Sequence, residues 1–217
     1  MISLFLIQKG YSMASHQFLQ KNRRQGGYTL VELAIAVAIL AVLIVAGLTG
    51  VQSILTSGKV NEQIKTVAKL GSKVSSNYSS LSTSGVTLAT VANLGGWDTS
   101  KVSTSGGVTS VRSAFNSGEF ITTNAAAVSG MAANAGFLYT IGGVPREACP
   151  DLANGIGALA YGIAVQAAAT PTVAVQTYPV GTNVQLKTPG TANINPATLA
   201  TGCAINANSD FIIAIKP

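Results

Sequence analysis

Charge is scarce in this chain. Its 217 residues hold 13 Lys or Arg, 7 Asp or Glu and a single histidine, and only 9% of positions are charged. The histidine, His16, lies upstream of Gly27, so nothing beyond it can form a Ser-His-Asp or Cys-His couple. Cys149 and Cys203 are the only cysteines, too few ligands for a zinc site without imidazole. No G-x-x-x-x-G-K-[ST] loop occurs, and Gly142-Gly143 before Val144-Pro145 reads as a turn. The acids Glu32, Glu62, Asp98, Glu119, Glu147, Asp151 and Asp210 are dispersed. Only Glu147 and Asp151 lie close together, in the first turn of an expected helix, where the dipole favours acids. The sequence thus offers no catalytic constellation, no metal site and no cofactor motif.

The formal charge of +6 says little about nucleic acid. Lys9, Lys21, Arg23 and Arg24 precede Gly27, which leaves nine bases against seven acids, or +2, for everything after it. Those nine are scattered rather than clustered as a phosphate-binding surface requires. The exception is Lys59, Lys65, Lys69 and Lys73, which read as a solvated helix face or a minor inter-subunit contact.

Proline and charge are also missing from one long run. From Tyr28 to Gly58 the only charged residue is Glu32, and Leu33 to Ala46 contains nothing but Leu, Ala, Ile and Val. About 20 such residues span a bilayer core as a helix, and Tyr28 to Leu48 is that long. Lys21, Arg23 and Arg24 just upstream place the N-terminus in the cytoplasm and the rest outside. A secretory signal has a shorter apolar core and a small-residue cleavage site. The apolar stretch Met1–Ile7 is too short for a second span.

Glu32 interrupts this run near its cytoplasmic edge. A carboxylate at the bilayer centre costs about 2.5–3.5 kcal/mol on insertion scales, and less near the edge. It either snorkels to the headgroups, takes a proton, or awaits a cation. A cut after Gly27 would supply one, because Tyr28 would gain a charged α-amino group. Two opposite charges at ~4 Å attract by about 4 kcal/mol at an effective dielectric of 20, within one chain or between neighbours.

Gly26-Gly27-Tyr28-Thr29-Leu30-Val31-Glu32, followed directly by the apolar run, resembles the type III signal of type IV prepilins. The likeness covers Gln25 to about Val51. It implies that a membrane aspartyl peptidase, the prepilin peptidase, cuts between Gly27 and Tyr28 and that Tyr28 is N-methylated. It also makes Glu32 an assembly residue, and the partners other copies of the chain in a helical filament, the inner membrane and the pilus assembly machinery. Tyr28 stands where Phe or Met is more usual. The long leader resembles the type IVb branch, and Met13 offers an alternative start. Helices of this family can melt locally in a filament, and Gly47 and Gly50 mark the easiest place here.

The expected fold is α+β: a long N-terminal helix, membrane-spanning in its inner half and amphipathic in its outer half, packed on a C-terminal antiparallel sheet with short helices. The expected divisions are a cleaved leader (1–27), a transmembrane and polymerisation helix (28–51), its amphipathic continuation (52–81) and a globular head (82–217). Val60, Ile64, Val67, Gly71, Val74, Tyr78 and Leu81 alternate at spacings of three and four, an apolar stripe. Lys59, Glu62, Gln63, Lys65, Lys69 and Lys73 fall to the other surface. Beyond it, loop-like sequence gives way to strand signals at Glu119–Thr123, Phe137–Ile141, Leu159–Gln166, Thr172–Tyr178 and Phe211–Ile215. Helix starts are signalled at 145–152 and, with Pro at the first position, at 195–199.

Cys149 and Cys203 are either two free buried thiols or a disulfide, and a head outside the cytoplasm favours the bond. The segment 137–152, and 201–215 with it, resembles the disulfide-closed C-terminal region of type IVb pilins. The resemblance implies the subunit of a type IVb-like pilus, first held in the inner membrane and then extracellular. The other readings are a minor pilin or tip adhesin, or a pseudopilin of a type II secretion system.

Overall fold

The computed structural model describes residues 29–78, 83–122, 131, 132, 134–168 and 184–216. The leader, the cut site Gly27–Tyr28, Leu81 and the strand expected at Thr172–Tyr178 lie outside these residues. The chain divides into two compact units, Met1–Ala46 and Gly47–Pro217. One helix, α1 (Leu30–Asn77), begins in the first and ends in the second. It runs unbroken through Gly47, Gly50 and Gly58, none of which has any neighbouring atom where a Cβ would stand. With no proline in its length, each of its residues can keep a backbone donor.

The first unit is described by α1 alone. Leu30, Leu33, Val37, Leu40, Ile44 and the other large apolar residues here are all more than half exposed, and the residues between them are exposed too, so this stretch has no buried side. It is long and apolar enough to cross a membrane.

In the second unit α1 acquires a buried stripe: Val60, Val67, Leu70 and Val74 are covered, with Ile64 and Tyr78 partly so. Each such burial contributes about 1.5–3 kcal/mol. The stripe is as expected except at two positions. Leu70 belongs to it, and Gln63, expected on the outer surface, is fully buried. Gln63 stands three residues after Val60 and so shares its face. Its amide is accommodated because every polar atom finds a partner, as described below.

After α1 come α2 (Leu88–Asn93), a 3₁₀ turn (Thr99–Lys101) and seven strands. These are β1 (Val102–Ser105), β2 (Val108–Arg112), β3 (Gly118–Thr122), β4 (Phe137–Pro145), β5 (Gly162–Ala167), β6 (Val184–Lys187) and β7 (Asn208–Ile215). The helices α3 (Cys149–Ile156) and α4 (Pro196–Gly202) flank β5 and β6 in sequence. Among the described residues they form one antiparallel sheet of order β1-β2-β3-β4-β7-β5-β6, with the C-terminal strand inserted between β4 and β5. Period-two alternation sends Phe137, Tyr139, Ile141, Ile163, Phe211, Ile213 and Ile215 into the core cluster with α1. Leu138, Ala164, Ile212 and Ala214 form a smaller cluster with Met131 and Tyr161.

Three expectations change. Gly142-Gly143 is no turn but a bulge inside β4, where register against β7 shifts and Gly143 takes φ +66°. The β1–β2 hairpin lies in a stretch expected to be loop; Gly106 and Gly107, at φ +57° and +80°, make its two-residue turn. At the first expected helix start, 145–152, α3 begins at Cys149, with Asp151 in its first turn and Glu147 just outside.

Candidate functional site

The N-terminal end of α1 is a capped helix start. The Glu32 backbone N–H donates to Thr29 Oγ1 at 3.3 Å, and Leu33 N–H to the Thr29 carbonyl at 3.2 Å. Thr29 is therefore the N-cap and Glu32 the third helical residue, the spacing of a capping box. The carboxylate also sits where the helix dipole favours an anion. Glu32 thus has a local reason to be there beside any assembly role. The Thr29-x-x-Glu32 signal was present in the sequence, hidden by its coincidence with the leader motif. Gly47 and Gly50 lie further along the same exposed surface.

In the second unit, Cys149 and Cys203 are joined in a disulfide, Cα atoms 5.6 Å apart. It ties the first residue of α3 to the residue that caps α4. Asn195 accepts the Ala197 N–H at 3.0 Å and Pro196 occupies the first helical position, so α4 is fixed at both ends. Lys187 of β6 is buried, and its Nζ donates to the carbonyls of Gly157 and Ala160, both at 2.6 Å, just past the end of α3. Burial lowers its pKa.

A buried polar cluster fastens α1 to the sheet. Gln63 Oε1 accepts the Ala114 N–H at 3.1 Å, which orients the amide. Its Nε2 then donates to Glu119 Oε1 at 2.8 Å and to Tyr139 Oη at 3.0 Å. Trp97 Nε1 donates to Glu119 Oε2, and the Trp97 and Tyr139 rings lie 6.4 Å apart between centroids. Glu119 is 1% exposed. Desolvation raises its pKa, against the opposing pull of hydrogen bonds from Tyr139, Gln63 and Trp97 and of the Lys101 charge. Burial and the neighbouring Glu119 charge push Tyr139 well up. Asp210 on β7 is likewise raised by burial, while accepting the Gly143 N–H at 2.9 Å. Outside the cluster, Lys101 pairs with Glu62, and Lys69 with Asp98 at 3.3 Å.

Glu119 is enclosed by donors, and no group of three or more metal-binding side chains exists among the described residues. A cleft of about 650 Å³ beside the β1–β2 hairpin is lined by Glu62, Lys101, Arg112 and several serines. The cluster was missed from sequence because its members lie on α1, the loop after α2, β3 and β4. No local pattern joins Gln63, Trp97, Glu119 and Tyr139.

The family model for the prokaryotic N-terminal methylation motif matches residues 22–48. No curated protein matches the chain. Among solved structures it is similar to the type IVb pilin from Salmonella typhi, with 15% identity and a TM-score of 0.48, over 72% of this chain and 99% of that one. It is similar also to TcpA, a type IV pilin from Vibrio cholerae El Tor biotype, with 16% identity and a TM-score of 0.49, over 72% and 98%. Residues 22–48 thus carry the prokaryotic N-terminal methylation motif, over the Gly26–Glu32 signal and the apolar run that follows it.

Proposed function

We propose that this chain is the structural subunit of a type IVb-like pilus. It is held in the inner membrane by residues 28–51 with its N-terminus in the cytoplasm. The prepilin peptidase cuts it between Gly27 and Tyr28 and methylates Tyr28, and the subunit then polymerises through α1 into an extracellular filament. The observation that carries this reading is the apolar helix surface from Leu30 to Leu55. Its large side chains are more than half exposed on every side of the helix, with one carboxylate, Glu32, at its start. A surface of that size requires lipid or protein around it. In the membrane lipid supplies the cover, and in a filament the helices of other copies do.

In that bundle Glu32 has a specific task. An incoming subunit brings a charged amine at Tyr28 into an apolar environment, and an unpaired buried cation is costly. Glu32 of a neighbour offsets that cost and sets the axial register. Gly47 and Gly50 give the helix its softest point, since mid-helix glycine costs about 1 kcal/mol relative to alanine.

The test is to shear filaments from cells producing the chain and determine the N-terminus of the subunit by mass spectrometry. Methylated Tyr28 as the first residue of the predominant protein is the expected result. A filament subunit beginning elsewhere, or a chain that never leaves the membrane fraction, would refute the reading.

A further inference from the structure

The second unit carries a lysine face that is only partly paired and an exposed acidic pair that makes no ion pair among the described residues. Lys65, Lys69 and Lys73 recur every four residues along α1, so they line one side of it. That side is turned away from the buried stripe of Val60, Val67 and Val74, at 100° per residue. Lys69 is engaged with Asp98; Lys65 and Lys73 make no ion pair among the described residues.

The described carboxylates of this unit sort cleanly. Glu62 is held by Lys101 and Asp98 by Lys69, while Glu119 and Asp210 are buried. Glu147 and Asp151 remain, four residues apart, exposed and in no ion pair. They flank the start of α3, which packs against α1 on its Ile64 side: a Cβ on Gly155 would fall 2.1 Å from Ile64 Cδ1. The acids therefore belong to a different side of the unit from the lysine face.

We propose that the lysine face of α1 is a docking surface for a second copy of this chain, which presents Glu147 and Asp151 to Lys65 and Lys73. This inference rests on the polymer reading above. The two patches are complementary in sign and lie on different surfaces, so the contact is heterologous. Repeated from copy to copy it propagates along an assembly and does not close into a two-fold dimer. Its role is to select the neighbour and its register, because opposed charges favour one pairing and like charges penalise the others.

The test uses the full chain in cells that form filaments. Lys65→Glu with Lys73→Glu, and separately Glu147→Lys with Asp151→Lys, place like charges across the contact. Each double variant is expected to lower sheared-filament yield by about tenfold, while the processed, disulfide-bonded subunit remains at normal level in the membrane. All four substitutions together restore the contact with its signs exchanged and return the yield to near wild type. In parallel, zero-length carbodiimide cross-linking of wild-type filaments joins Lys65 or Lys73 to Glu147 or Asp151 in peptides identified by mass spectrometry. Normal filaments from either double variant, or a fourfold variant no better than its parents with no such cross-link in the wild type, would overturn the docking surface. The polymer reading would stand in both cases. A wild-type chain that forms no filaments would overturn both.

Discussion

The same helix behaves as two different objects along its length. From Leu30 to Leu55 its large apolar side chains are exposed on every side, and the described residues of the first unit contribute nothing to cover them. From Val60 to Val74 only a stripe is apolar, and that stripe is buried against the sheet. The second surface resembles any amphipathic helix of a globular protein. The first is unfinished until something outside the chain surrounds it. A fold that completes one half of a helix and leaves the other bare separates folding from assembly. The head is stabilised by its own core and disulfide, and on the function proposed above the exposed half is kept for lipid and for other copies.

That separation can be broken at either end, and the largest effect is expected at the start of α1. Glu32→Ala should leave membrane insertion and head stability unchanged and nearly abolish filaments, as read by sheared-filament yield against the membrane pool. Loss of the subunit from the membrane would instead make Glu32 a folding or processing determinant. Glu32→Gln separates charge from shape, and the same loss is expected, because the amide supplies no charge for the Tyr28 amine.

On the head side, Cys203→Ser opens a loop closed by a bond between residues 54 apart in sequence. The chain-entropy account gives about 4 kcal/mol of lost stability. A thermal melt of the head should shift down sharply while insertion stays normal.

A paired substitution within α1 sharpens the contrast further. Gln63→Ala should cost about 3 kcal/mol, because Glu119 and the Ala114 N–H lose partners in a buried site. Gln52→Ala, exposed on the same helix, should stay within about 0.5 kcal/mol. Equal effects at the two positions would mean that α1 is not keyed to the sheet through Gln63.

Acidity supplies a smaller effect that only the head should show. Burial raises the folded-state pKa of Glu119 above its ordinary 4.5, so between the two values the folded state holds more protons than the unfolded chain. The Glu119 contribution is therefore greatest below 4.5 and is lost as pH rises through the folded value. Asp210 acts in the same direction from its ordinary 3.8. Trp97, the sole tryptophan, touches the Glu119 carboxylate and should report its titration by fluorescence. A titration curve in the acid range that survives Glu119→Gln would assign it to another group. Gly47→Ala with Gly50→Ala is a gain rather than a loss, about 1 kcal/mol of added helix preference per site. It should disturb filament formation more than insertion.

The legibility of the fold follows the same divide. Whatever rests on local pattern could be read: the apolar run, the three-four stripe, the strands at Phe137–Ile141 and Phe211–Ile215, and the helix starting at Pro196. The pairing of Cys149 with Cys203 followed from two cysteines and a compartment. Long-range partnership was not legible. Gln63 looked like a surface residue because its polarity is visible in sequence and its partners on β3 and β4 are not. The β1–β2 hairpin was hidden by its serines and threonines, although Gly106-Gly107 between Val-rich flanks is a hairpin signal. Thr29 as an N-cap was overlooked because the leader motif already accounted for the same residues.

On the function proposed above, the exposed half of α1 is the assembly surface and the head is already complete. A filament structure at side-chain resolution tests it most directly. The expected map has Leu33 to Leu48 of each copy enclosed by helices of its neighbours, Glu32 beside a Tyr28 amine, and the Gln63–Glu119–Trp97 cluster as it is in the single chain. It also opens the helix near Gly47 and Gly50. A filament held through head contacts alone, with Leu33 to Leu48 still bare, would contradict the claim.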